Sequence, residues 1–216
     1  MSNKRQQRAH EFPTWLKWAY LCFVLVLVPV YAVEHGLRNF LWFSNVALLL
    51  GLVGVWTENR LVISTQAVSV SLLEIGWLVD FFGALVRGGE SIYGLTAYMF
   101  DAALPLYLRL LSLYHVVLPF LLLWLLWRGG YDRRALRVWL PVGWGILLLA
   151  YAGPGERNVN WIYGVPGENT FGLPPLVWLA VVMCVCAVVW SLTHLLLKQA
   201  MQFFGRPVYP RDSTIQ

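Results

Sequence analysis

Seven residues in this chain have types and spacing that allow chemistry: Ser44, Asn45, Asp80, Arg109, His115, Asn158 and Asn160. An imidazole can take a proton from a hydroxyl, so His115 and Ser44 read as general base and nucleophile. Asn45, next to Ser44, can donate to an oxyanion, which makes it the third member of the catalytic set. Arg109 can clasp a phosphate or carboxylate through two parallel N–H bonds. Asp80, Asn158 and Asn160 add polar contacts, completing a substrate-binding set with Arg109. Plainer roles compete with these. Arg109 can pair with Asp80, Asp101 or Glu74 as a structural ion pair. His115 can be a satisfied core histidine, and the two asparagines can shape their loop.

Other chemistries lack their signatures. The chain has no H-E-x-x-H, no C-x-x-C, no Walker loop and no G-x-S-x-G. No two histidines are spaced to share a metal or haem on one helix, so neither metal nor cofactor is expected. Cys22, Cys184 and Cys186 all lie in apolar runs. Cys184 and Cys186 would point about 200° apart on a helix, which suits core packing rather than shared ligation.

The elements that must hold these residues are membrane spans. Apolar residues make up 59% of the chain and charged residues only 12%, about half the usual charged share of a soluble domain. The 12 tryptophans suit aromatic belts at two interfaces. Runs long enough to span, or nearly so, occur at about 15–33, 39–56, 61–86, 104–127, 138–152 and 173–197. This predicts an all-α polytopic transmembrane bundle of six helices, forming one domain over residues 1–216. The run at 15–33 follows Lys4, Arg5 and Arg8 but is too long for a signal peptide's apolar core, so it reads as a retained first helix. Pro29 and Pro119 fall inside spans, which a bundle tolerates when neighbours satisfy the freed carbonyl.

Basic residues give an orientation. With the N-terminus inside, the inner segments hold Lys4, Arg5, Arg8, Lys17, Arg60, Arg128, Arg133, Arg134, Arg137, Lys198, Arg206 and Arg211. The outer loops hold only Arg38, Arg87 and Arg157. The bias predicts cytoplasmic N- and C-termini in a bacterial inner membrane. The net charge of +5 sits in loops between apolar runs with no basic patch interleaved with aromatics, so nucleic acid is not a partner. Two outer loops are longer than turns. Residues 87–103 are expected to carry a short helix at 93–101, and residues 153–172 are rich in Gly, Pro and Asn.

The polar residues are unevenly placed. The third span carries Gln66, Ser69, Glu74 and Asp80. Gln66, Ser69 and Asp80 share a face, with Glu74 about 80° or more away. In the fourth span, Arg109, Ser112, His115 and Pro119 follow one another in steps that give a common face. Ser44 and Asn45 are expected about one and a half turns into the second span. Nearly all these groups fall in the outer half of the bundle or above it. Gln66, Ser69 and His194 are the exceptions. Ionisable groups in spans usually face an interior or a wet cavity.

The fourth span also carries a resemblance. Leu104, Pro105 and Leu106, then Tyr114, His115 and Val116, then Leu126 through Gly130, look like the central helix of YwaF-like integral membrane proteins. The similarity extends to Asn158 and Asn160 in an outer loop and to Thr193 and His194 in the last helix. A similar six-helix layout occurs in androgen-induced-type intramembrane hydrolases. The resemblance implies a lipid hydrolase or acyltransferase with a Cys or Thr nucleophile on an early helix and a histidine at His115. The early-helix stretch here reads Phe43, Ser44, Asn45, Val46, with serine where the resemblance implies Cys or Thr.

Three functions follow as expectations. One is an enzyme acting on lipid acyl groups, with membrane lipids as its partners. Another is a small transporter or lipid-binding protein that uses Asp80, Arg109 and Glu74. The third is a non-catalytic structural or assembly subunit whose partners are the other subunits of a membrane complex.

Overall fold

The computed structural model describes residues 12–153, 158–165 and 169–209. Lys4, Arg5, Arg8, Arg157 and Arg211 lie outside the described residues. Six helices form an all-α bundle: α1 (Thr14–His35), α2 (Phe43–Trp56), α3 (Arg60–Val86), α4 (Leu106–Gly129), α5 (Ala135–Ala152) and α6 (Pro175–Phe203). All but α2 are long and apolar enough to cross a membrane. The chain is an integral membrane protein.

The short helix α2 still joins the two ends of the bundle. Its 14 residues rise about 21 Å, and the 3-10 helix Leu37–Leu41 lengthens the approach. Just past its far end, Glu58 meets Lys17 at 2.6 Å, near the start of α1. Helices α1 and α2 therefore run antiparallel over the same depth. The Asn59 side chain accepts from Val62 N at 3.1 Å and caps α3 as the chain turns back.

Helix α3 is the axle, packing against α2, α4, α5 and α6. Ile63 through Ser71 are buried without interruption, because neighbours surround this half on all sides. Beyond it only the stripe Glu74, Trp77, Asp80 and Ala84 stays buried, while Ile75, Val79 and Phe82 are exposed. That is one helical face against the bundle and the other against lipid. In the axle's core, Trp190 of α6 donates to Ser69 O at 3.1 Å and packs edge-on to Phe43 and Trp139. Gly143 of α5 lies under the Trp190 ring, where any Cβ would collide with the indole.

Helix α4 comes in two pieces, Leu106–Ser112 and Tyr114–Gly129. Around the joint, Leu113 N bonds Leu110 O and Val116 N bonds Leu113 O, which are tighter three-residue steps. Pro119 has no N–H to offer the His115 carbonyl one turn earlier, which loosens the helix further at that level.

The two ends of the bundle differ. At the terminal end, Arg60 Nε donates to Gly129 O at 2.6 Å, and its guanidinium lies 3.2 Å over the Tyr209 ring. Strand β1 (Tyr131–Asp132) pairs in parallel with β2 (Val208–Tyr209), so the C-terminal segment is clasped to the α4–α5 turn. Gly130, at φ 82°, lets that clasp close; a Cβ there would meet Pro207 O at 2.9 Å. At the opposite, loop end lie the α1–α2 connection, residues 87–105 and residues 158–165. The expected helix at 93–101 is only the single 3-10 turn Ala97–Met99, because the backbone before it is used in wrapping a carboxylate.

Candidate functional site

Glu74 and His115 meet between α3 and α4. The Glu74 carboxylate lies 2.9 Å and 3.1 Å from His115 Nδ1 through its two oxygens. A carboxylate only accepts, so Nδ1 is the donor in this contact and Nε2 is left to face a substrate. The described hydrogen bonds of His115 both run through Nδ1. The ring stacks on Trp77 at 4.9 Å and on Tyr114 at 4.2 Å. The Glu74 side chain is 4% exposed and that of His115 15%, so the acid is sealed while the imidazole keeps an accessible edge.

Hydroxyls and amides surround the pair. Tyr114 Oη donates to Asn45 Oδ1 at 2.9 Å, and Asn45 Nδ2 donates to Asn39 O at 2.8 Å. Ser44 lies beside the Tyr114 phenol. Ser112 Oγ donates to Leu108 O at 3.0 Å, so the 2.8 Å contact from Tyr31 is the tyrosine donating to Ser112. Tyr98 enters from the 87–105 loop and reaches Trp77 and Ser112. Burial pushes its phenol above the usual range, which keeps it a neutral donor.

Asp80 does different work. Its buried carboxylate accepts five hydrogen bonds, all from the loop: Ser91 Oγ at 2.6 Å, Ile92 N and Tyr93 N at 2.7 Å, and Thr96 N and Oγ1 at 2.8 Å. Those donors account for the charge, and Arg109 is not among them. The expected pairing of Arg109 with Asp80, Asp101 or Glu74 is corrected here. Glu74 is held by His115, and Asp101 accepts from Ala103 N at 2.8 Å. Among the described residues Arg109 reaches only Met99 O, at 3.5 Å, and its Nε is buried without a hydrogen-bond partner.

Ser44 and Asn45 sit in the first turn of α2, not one and a half turns into it, because the helix begins only at Phe43 after an extended Trp42. No hydrogen bond joins Ser44 to His115 among the described residues; Ser44 approaches the imidazole's neighbour Tyr114. Asn160 Oδ1 accepts from Phe43 N at 3.1 Å and Asn160 Nδ2 donates to Leu41 O at 2.8 Å. It therefore caps α2 from across the bundle. Asn158 holds its own loop, donating to Gly164 O and accepting from Tyr163 N. Both asparagines are tied into the fold at the loop end.

Arg109 and His115 have different partners. The joint at Leu113 separates them, and Arg109 turns to Met99 while His115 turns to Glu74. The residues that sequence reasoning missed are Glu74 as the histidine's partner and the ring of Tyr31, Trp77, Tyr98 and Tyr114. An acid in a span is itself a signal, since a buried carboxylate needs a partner. The tyrosines gave none, because belts and cores use the same residues.

Among the described residues, no three His, Cys, Asp or Glu side chains converge as metal ligands. No protein-family model matches the chain, and no curated protein or solved structure does either.

Proposed function

We propose that this protein is a membrane-embedded enzyme that cleaves or transfers the acyl group of a membrane lipid, with His115 as general base and Glu74 as its orienting carboxylate. The observation that carries this reading is the Glu74–His115 contact at 2.9 Å. A carboxylate on Nδ1 fixes the ring and its tautomer, and it stabilises the imidazolium that forms when Nε2 takes a proton. Nε2 removes the proton of an attacking hydroxyl as its oxygen bonds to the ester carbonyl carbon. The proton then passes to the departing alkoxide. The attacking oxygen is either Ser44 Oγ, through an acyl-enzyme, or water directly. The neutral phenol of Tyr98 is the donor for the developing oxyanion.

The test is ester hydrolysis and acyl exchange by the purified protein in liposomes. His115→Ala should abolish turnover, and Glu74→Gln should lower kcat by 100-fold or more, since it loses the carboxylate that sets the tautomer (about 10⁴-fold in the best-known triad). Ser44→Ala assigns the nucleophile: loss of turnover means Ser44, and retention means water. Wild-type turnover in His115→Ala would sink the enzyme reading and leave the assembly-subunit reading.

We further propose that the terminal end faces the cytoplasm of a bacterial inner membrane, which places the Glu74–His115 pair towards the outer leaflet. The basic residues of the described chain support this: Lys17, Arg60, Arg128, Arg133, Arg134, Arg137, Lys198 and Arg206 lie towards the terminal end. Single cysteines at Arg133 and Asn158 should label from opposite sides of the membrane. Labelling from the same side would overturn the topology.

A further inference from the structure

An arginine in a membrane-spanning helix is commonly neutralised by an acid. Arg109 is not. Each acid within reach by sequence is committed elsewhere: Asp80 to five loop donors, Glu74 to His115 and Asp101 to the backbone of Ala103. Arg109 takes part in no ion pair among the described residues. One long bond to Met99 O holds it, and its Nε is buried with no acceptor. A guanidinium presents five donors in a planar fork suited to a phosphate's paired oxygens.

Its location relative to the histidine is specific. Arg109 lies six residues before His115 on α4, about 9 Å nearer the loop end. Met99, which holds it, directly follows Tyr98, which reaches the polar ring around Trp77 and Ser112. The arginine thus stands nearer the loop end and the imidazole deeper. A glycerophospholipid has the same order along its length, with the phosphate outermost and the acyl esters one glycerol unit further in.

We propose that Arg109 binds the phosphate of an anionic glycerophospholipid, whose acyl ester then lies at His115. The assignment of the ester end rests on the catalytic reading of Glu74 and His115, but phosphate binding by Arg109 does not. Binding is therefore read without turnover. The protein in detergent is titrated by calorimetry with dihexanoyl phosphatidylglycerol, with dihexanoylglycerol and with glycerol 3-phosphate. Phosphatidylglycerol should bind at least tenfold more tightly than either of the others. Arg109→Gln should remove that margin and leave dihexanoylglycerol binding unchanged. Arg109→Lys should restore part of it, as a charge without the fork. Equal affinity for the charged and neutral lipids in the wild type would overturn the proposal. So would glycerol 3-phosphate binding as tightly as the lipid, which would mark a site for a soluble phosphate. If Arg109→Gln does not fold, displacement of phosphatidylglycerol from the wild type by glycerol 3-phosphate but not by glycerol supports the proposal, and equal displacement by both counts against it. Loss of turnover in His115→Ala with phosphatidylglycerol binding intact separates the two readings.

Discussion

Thr96 bonds Asp80 twice, through its backbone N–H and its Oγ1, both at 2.8 Å and both to Oδ2. One residue thus supplies two of the five donors that fold residues 91–96 around a buried carboxylate. The 3-10 turn bearing Tyr98 begins at the very next residue, Ala97, so the anchor at Asp80 sets where Tyr98 enters the polar ring.

Asp80→Asn is the sharpest test of that anchor. The amide keeps the shape but turns one acceptor into a donor facing donors. It should destabilise the protein by on the order of 3 kcal/mol, the scale of losing charge-assisted hydrogen bonds. Proteolysis or hydrogen exchange should rise first in residues 87–105. Unchanged protection there would mean the loop is held by something else.

For Glu74 and His115 the single variants should cost more than the double. His115→Leu leaves a carboxylate buried without its partner, and Glu74→Leu leaves an imidazole likewise. Each should lower stability by about 2–3 kcal/mol. The double Leu variant should recover part of that loss, because no orphan polar group remains. Additive losses in detergent melts would show that the pair is not energetically coupled.

The fold was legible because hydropathy marks helices that lipid surrounds. The boundaries of α1 and α3 came within a few residues of expectation, and α6 was underestimated only where Lys198 and Gln202 end the apolar run. The site was harder to see for two physical reasons. Face arguments assume a helix with one inward side, yet Ile63 to Ser71 are buried all round, so grouping Gln66 and Ser69 with Asp80 had no meaning there. They also assume an unbroken helix, and α4 changes its step at Leu113 between Arg109 and His115. Glu74, expected as a partner of Arg109 or as a transporter ligand, is instead the partner of His115. Asp80 and Asn160 were recognised as singular residues. Most of their partners are backbone groups of a loop and a helix start, which no side-chain pattern encodes.

Asn160 offers a cleaner stability test because its two bonds reach 117 and 119 residues back, to Phe43 and Leu41. It also sits at φ 52°, where asparagine and glycine are at ease and other residues are strained. Asn160→Gly should lose about 1–2 kcal/mol from the two bonds alone. Asn160→Ala should lose more, because strain is added to the same loss. Equal stability of the glycine and alanine variants would show that the backbone at this position relaxes freely.

Asp132 provides the pH dependence, at the terminal end and outside the spans. Burial raises its pKa, but hydrogen bonds from Arg134 N at 2.9 Å and Arg134 Nη2 at 2.9 Å, with the charges of Arg134 and Arg60, outweigh it. The net effect holds the carboxyl below the ordinary carboxylate range. A group depressed on folding stabilises above its unfolded pKa of about 3.9, and that contribution fades as pH falls towards the folded value. Asp132→Asn should therefore melt below the wild type at pH 7. The gap should stay constant down to about pH 4 and narrow below it, because the wild type alone loses a charge there. The comparison isolates Asp132, since every other carboxylate titrates in both proteins. Parallel melting curves from pH 7 to pH 3 would show that the carboxylate's charge contributes nothing to holding the β1 turn against Arg134.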